Sequence, residues 1–280
     1  MRIVSFIVDD RESFGILSAN GLYDLGQDFN GDVRAILTAR GRTAAAEIVA
    51  ARSPTLALEN VTLLPPVPRA GRIICVGLNY KAHIAETGRE TPSYPIFFPR
   101  YVDSLVGAGA PMIRPRASAQ FDFEGELAFV IGDGGRHIAR DRALDHVAGY
   151  MAFNDGSIRD FQCKTSQFMA GKCFWRSGAA GPWLLTTDEL GAIDALTLET
   201  RLNGVVMQSA SLADMLFDVP SLIETLSTIF PLNPGDVIAT GTPGGVGVAR
   251  KPPLFMRAGD VVEVAIGPLG TLRNHIEDEA

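Results

Sequence analysis

A strand-rich α+β fold preceded by a small N-terminal α/β module is the class this sequence predicts. Three observations carry it. From Ile73 onward, short strand-like runs alternate with turns rich in Gly, Pro and Asp. Helical periodicity is confined to a few stretches. The 29 glycines and 17 prolines are spread along all 280 residues, as many short strands with tight turns require and a doubly wound sheet does not.

Residues 1–68 read as the N-terminal module and its linker. Ile3–Val8 is alternating and β-branched, so it reads as a strand. Phe14–Leu17 and Gly21–Leu25 read as two more short strands, and Val33–Thr38 and Thr43–Ala51 as short helices. Pro65-Pro66-Val67-Pro68 closes the module, because consecutive prolines remove amide donors and favour extended backbone. Residues 69–280 form the main domain. Its strand-like runs are Ile73–Val76, Leu127–Ile131, Leu196–Leu202, Asp236–Thr240 and Val261–Ile266. Its clearest helix is Pro220–Ile229, where a proline opens the run and Leu222, Ile223, Leu226 and Ile229 share one face.

Composition removes several function classes. The formal charge is −7, from 25 basic and 32 acidic residues, and no basic run is present, so no nucleic-acid partner is expected. No apolar run is long enough to span a bilayer, so no membrane partner is expected. Cys75, Cys163 and Cys173 are an odd, sparse set without a C-x-x-C pair, which fits neither a disulfide framework nor zinc. With no signal-peptide pattern in MRIVSFIVDD, the expected location is the cytoplasm.

Four constellations carry chemistry. In Asp122-Phe123-Glu124-Gly125-Glu126, which runs into the apolar stretch Leu127–Ile131, residues two apart share one face of a strand. Asp122, Glu124 and Glu126 are therefore expected to stack together. Such carboxylates repel one another unless a cation compensates, and oxygen-only donors suit Mg²⁺, Mn²⁺ or Ca²⁺ better than zinc. A solvated strand edge is the alternative.

In Asn154-Asp155-Gly156-Ser157-Ile158-Arg159-Asp160-Phe161-Gln162, Asp155 ends a strand-like run and Ser157 is placed to cap a helix. Arg159 and Gln162 then share a helical face and make a site for an anion such as a carboxylate. An ordinary N-D-G turn before a surface helix is the alternative. In Asn79-Tyr80-Lys81-Ala82-His83-Ile84-Ala85-Glu86-Thr87-Gly88, Asn79 is placed to cap a short helix and Gly88 to end it. His83 and Glu86 fall on one face, either as a polarised general base or as a surface ion pair. The fourth, Thr240-Gly241-Thr242-Pro243-Gly244-Gly245-Val246-Gly247, offers backbone amides to an anion, or is a plain tight turn. It lacks the third glycine and the following βαβ unit of a dinucleotide loop. His137, His146 and His275 have no partner at useful spacing and read as structural or exposed. No G-x-S-x-G elbow marks a serine hydrolase.

In this order, these stretches resemble the fumarylacetoacetate hydrolase superfamily: Val76-Gly77-Leu78-Asn79-Tyr80 with His83 and Glu86, Phe123–Leu127, Asn154-Asp155 with Arg159, Asp160 and Gln162, Gly171-Lys172, and Pro234–Ile238 with Thr240–Gly247. The resemblance covers roughly residues 70–275. It implies a mixed β-sandwich roll, usually a homodimer. It implies Glu124, Glu126 and Asp155 as metal carboxylates. Lys172, Arg159, Gln162 and Thr242 would surround the head of a 2-keto acid, with Lys172 assisting catalysis, and His83 with Glu86 would form a catalytic dyad on a mobile lid. Many members carry a lysine where this chain has Arg100, a change of reach at constant charge that bears on the pocket for the substrate's tail. Asp122 has no role in the resemblance.

The chemistry implied is Lewis-acid stabilisation of an enolate. The expected reaction is hydrolysis of a 2,4-diketo acid (an acylpyruvate), with His83 activating water. Oxaloacetate decarboxylation, or isomerisation or hydration of an unsaturated 2-keto acid, follows from the same enolate. A non-catalytic keto-acid-binding protein is the further alternative, and it would have no need of a general base.

Overall fold

The computed structural model describes residues 1–280. Its centre is a pair of strands, Gly125–Ile131 and Val147–Asn154, buried along their whole length and paired antiparallel with Gly125 opposite Asn154. A strand covered on both faces must be apolar on both, which is why these runs look continuous rather than alternating in sequence. Around them the large sheet runs in the order Gly21–Asp24, Arg11–Ser18, Arg2–Val8, Gly178–Thr186, Val147–Asn154, Gly125–Ile131, Val237–Ala239, Ile73–Gly77 and Ile96–Arg100. The sheet is mixed, since Val237–Ala239 and Ile73–Gly77 run parallel. The N-terminal strands continue it, with Arg2 and Ile3 opposite Leu185 and Leu184.

A second sheet runs in the order Val205–Ser211, Thr197–Leu202, Val261–Ala265, Thr271–Asp278 and Met112–Arg114. Strand period two divides the core between the layers. Leu127, Phe129 and Ile131 share a cluster with Leu198, Leu202, Val262 and Val264 of the second sheet. Ala128 and Val130 pack on the opposite side with Ile36, Leu37 and Ala45 from the N-terminal residues. Each large apolar side chain buried in this way contributes roughly 2 kcal/mol, so a site at the ends of the central strands rests on a rigid frame. No helix is long and apolar enough to cross a membrane.

The strand-rich α+β class is as the sequence predicts; several boundaries differ. Helix Ala39–Ala51 begins four residues early because the Thr38 side chain accepts from the Gly41 N–H and caps it. Residues Val33–Ile36 form only a 3₁₀ turn, capped by Asp32. Helix Val219–Ile229 is capped by Asp218 and buries Leu222, Ile223 and Leu226, while Ile229 stays exposed at its end. The strand Gly178–Thr186 (sequence GAAGPWLLT) has no strand signature. Its small residues are there for close approach: a Cβ on Gly178 would lie 2.6 Å from Arg100 Nη2.

Candidate active site

The two central strands end side by side and present their acidic neighbours together. The Asp155 N–H donates to the Glu124 carbonyl at 2.9 Å, and the Glu124 N–H donates to Asn154 Oδ1 at 3.1 Å. This lock points Glu124, Glu126 and Asp155 at one spot, where one oxygen of each lies within 4.8 Å of the others, all buried. Gly125 lets the second sheet close behind them, since a Cβ there would meet Thr200 Oγ1 at 2.0 Å.

Cations surround the cluster unevenly. Lys172 Nζ lies 2.7 Å from both Glu124 Oε2 and Asp155 Oδ2. Arg159 Nη1 lies 2.6 Å from Glu124 Oε1 and donates to Gln162 Oε1 at 2.9 Å, while its Nη2 is buried without a partner. Burial pushes the Glu124 carboxyl up, but Lys172 and Arg159 outweigh it and hold the group at about 2. Burial pulls Lys172 down, yet Asp155 and Glu124 override it and raise it above the usual lysine value. Glu126 has no cation. Burial first, then Asp155 and Glu124, push it well above the usual carboxylate range, against Lys172 and a 2.8 Å bond from the Gly241 N–H. Three converging oxygen donors, one of them uncompensated, fit an oxygen-preferring divalent cation.

His83 reaches the same space from the helix Lys81–Thr87, which Gly88 ends in the left-handed region at φ 67°. His83 Nδ1 lies 2.7 Å from Glu86 Oε1, and Glu86 Oε2 accepts from the Gly245 N–H at 2.8 Å. The pair is therefore docked on the glycine-rich loop, leaving Nε2 as the free ring nitrogen. His83, Glu86, Glu124, Arg159, Lys172 and Thr242 line one cavity of about 310 Å³, with Gln162 beside them and Phe98, Phe168 and Val248 as apolar wall. All of the sequence-predicted residues except Glu126 and Asp155 line this cavity, and those two sit directly behind Glu124 and Lys172.

Other expectations are corrected. Asp122 does not stack with Glu124 and Glu126. The strand Phe121–Asp122 pairs with Ser157–Ile158 and ends before Gly125–Ile131 begins, so period two is broken between them. Asp122 instead binds Arg159 Nε at 2.8 Å and the N–H groups of Phe123, Gly247 and Val248. Ser157 does not cap a helix; it is in that short strand and donates to the Asp155 carbonyl. Asn79 does not cap either. Its side chain donates to the carbonyls of Phe217 and Thr240 and accepts from the Phe217 N–H, tying the His83 segment to its neighbours. Arg100 is fully buried behind Asp155, bonded to Oδ1 and to the Gly156 carbonyl, and does not line this cavity. The Thr242 hydroxyl donates to the Gly125 carbonyl and accepts from Gln208 Nε2.

Gln208 was not visible in the sequence as a site residue. It crosses from the second sheet, accepting from the Gly125 N–H and donating to Thr242 and the Pro243 carbonyl. Its only sequence signal is an amide in an otherwise ordinary strand.

Known proteins resemble this chain in sequence and fold. The family described as Fumarylacetoacetate (FAA) hydrolase C-terminal matches residues 72–277. Oxaloacetate tautomerase fahd2, mitochondrial, of Xenopus laevis is 42% identical over 223 residues, 79% of this chain and 70% of the relative. Oxaloacetate tautomerase YisK of Bacillus subtilis (strain 168) is 42% identical over 223 residues, 78% of this chain and 74% of the relative. A putative HpcE protein from Mycobacterium smegmatis superposes with a TM-score of 0.89 at 31% identity, covering 100% of both chains. Maleylpyruvate hydrolase from Sphingobium sp. SYK-6, in complex with manganese(II) and pyruvate, gives 0.83 at 26% identity, also covering 100% of both.

The expectation of acylpyruvate hydrolysis is overturned by the first two relatives, which are oxaloacetate tautomerases. The physical reason is that hydrolysis and tautomerisation share one enolate. Nothing in the motifs dictates an attacking water.

Proposed function

We propose that this chain, which belongs to the fumarylacetoacetate hydrolase family, is an enzyme that interconverts the keto and enol forms of oxaloacetate. The observation that carries the reading is a proton carrier, His83 held by Glu86, in one cavity with the cation Lys172 and the carboxylate Glu124. The names of the relatives supply the acid.

Glu124, Glu126 and Asp155 would hold a divalent cation, Mg²⁺ or Mn²⁺ by their donor set, which when bound supplies Lewis-acid polarisation of the 2-keto oxygen. Arg159, whose buried Nη2 has no partner in the protein, receives the substrate's head carboxylate, and Gln162 holds Arg159 in place. His83 Nε2 takes a proton from C3 as the C2–C3 double bond forms. The electron pair moves to O2, where the fixed charge of Lys172 steadies it. Return of a proton to O2 gives the enol, so no water is consumed and no bond between carbons breaks. Glu86 accepts from Nδ1 and keeps Nε2 as the nitrogen that carries the proton.

The test follows enol absorbance and pyruvate release together, on protein loaded with Mg²⁺. Keto–enol exchange well above the buffer rate, with little pyruvate, is expected. Pyruvate formed as fast as the enol relaxes would make the protein a decarboxylase. No acceleration of either process would sink the reading.

A further inference from the structure

Six acidic, basic or imidazole side chains line the cavity, and five of them are matched within the protein. Glu124 is paired with Lys172 and Arg159, and His83 with Glu86. The sixth, Arg89, has no acidic partner.

Its position is set by the backbone. Gly88 ends the His83 helix in the left-handed region, which turns the chain back and lays the Arg89 guanidinium over the Phe168 ring, with Cζ 5.4 Å from the ring centre. A guanidinium held beside a ring keeps N–H donors whose fork matches a carboxylate. Phe168 is itself part of the apolar wall. An arginine without an acidic partner, held beside an apolar ring at the lining of the cavity, is arranged for an anionic group of the ligand.

We propose that Arg89 is a specificity-determining residue that receives the distal carboxylate of the substrate, so that the cavity selects dicarboxylic 2-keto acids over monocarboxylic ones. This rests on the oxaloacetate reading for the identity of the acid. Oxaloacetate brings two carboxylates. Arg159 would meet the head, beside the cation that Glu124, Glu126 and Asp155 would hold, and Arg89 is the remaining positive charge for the tail. Because Arg89 follows the helix of His83 and Glu86 by two residues, binding the tail also pins the segment that carries the proton carrier.

The experiment compares wild type, Arg89→Met and Arg89→Lys, each loaded with Mg²⁺. C3 proton exchange is measured for oxaloacetate and for 2-oxobutanoate, which has a methyl group in place of the tail carboxylate. Oxalate affinity is measured alongside by calorimetry as a report on the head site. In Arg89→Met the preference for oxaloacetate, as a ratio of kcat/KM values, should fall on the order of tenfold or more, the scale of one charge-assisted pair. The loss should lie mainly in KM for oxaloacetate, and Arg89→Lys should recover part of it. An unchanged ratio in Arg89→Met, or a wild type that prefers 2-oxobutanoate, would overturn the proposal. If wild type exchanges neither acid, the tautomerase reading fails on its own. Arg89 is then judged by calorimetry, where a dicarboxylate preference over 2-oxobutanoate lost in Arg89→Met supports it and its persistence refutes it.

Discussion

Asp122 and Arg159 form a buried ion pair, Oδ2 to Nε at 2.8 Å, and through it a cavity-lining guanidinium is fastened to the glycine-rich loop. Both Asp122 oxygens are doubly used. Oδ1 accepts from the N–H groups of Phe123 and Gly247, and Oδ2 accepts from Val248 N–H as well as from Arg159. The same loop offers Gly245 N–H to Glu86, so one carboxylate organises both Arg159 and the loop on which Glu86 and His83 are docked.

Asp122→Asn should therefore be costly despite its similar shape. Whichever oxygen becomes an amide, two donors then face a donor, and Arg159 loses one of its two counter-charges. A loss of about 3 kcal/mol is expected, read as a shift in the urea midpoint with unchanged slope. Oxalate affinity should weaken in parallel because Arg159 and the loop are released together. An unshifted midpoint would remove Asp122 from this organising role.

Glu126→Gln separates the fold from the metal. Glutamine keeps an acceptor for the Gly241 N–H and relieves the pressure of Asp155 and Glu124 on this position, so stability in chelator should hold or rise. Affinity for Mg²⁺ should fall on the order of a hundredfold, since loss of even an outer partner of a ligand commonly costs that much. Chelator should likewise abolish wild-type turnover, and Mg²⁺ or Mn²⁺ should restore it. Calorimetric titration giving the same Mg²⁺ affinity in both proteins would take Glu126 out of the site.

The legible part of this molecule is the part in which chemistry demands a spacing. Glu124 and Glu126 stand two apart at the start of a fully buried strand, and His83 and Glu86 stand one helical turn apart; both signals are local. Asp122 misled because period two holds only along an unbroken strand, and the break at Phe123 and Glu124 depends on pairing with Ser157 and Ile158, over thirty residues away in the chain. Gln208 and Arg100 reach the site from remote strands, so no spacing announces them. Gly178–Thr186 was unreadable for the opposite reason. Its first glycine, Gly178, answers the bulk of Arg100 rather than strand propensity.

Outside the site, Asp24 gives the chain a defined response to acid. Burial pushes its carboxyl up, but bonds from Ser13, Arg11 and the Gly26 N–H outweigh this and hold it below the ordinary value of 3.8. A depressed carboxyl stabilises the fold above its unfolded value, and that contribution is lost as pH falls through the folded one. The stability gap between wild type and Asp24→Asn, of order 1 kcal/mol near neutrality, should therefore shrink as pH drops below 3.8. Denaturation series at neutral and acidic pH would show it; a gap that widens in acid would contradict the assigned direction.

His83→Ala addresses the reaction itself. Removing C3's proton needs a base, whereas loss of CO₂ from a chelated 2-keto acid needs only the electron sink. Keto–enol exchange should fall on the order of a hundredfold or more, the usual scale for a lost general base. Any oxaloacetate decarboxylation should fall much less, because Lys172 and the three carboxylates are untouched. Glu86→Gln should act in the same sense but more mildly. The imidazole survives, with a neutral partner at Nδ1 and a weaker dock on Gly245. Mg²⁺ and oxalate affinities measured on the same preparations guard against a trivial collapse of the site. If exchange and decarboxylation decline together while both affinities are retained, His83 closes the cavity and does not carry the proton.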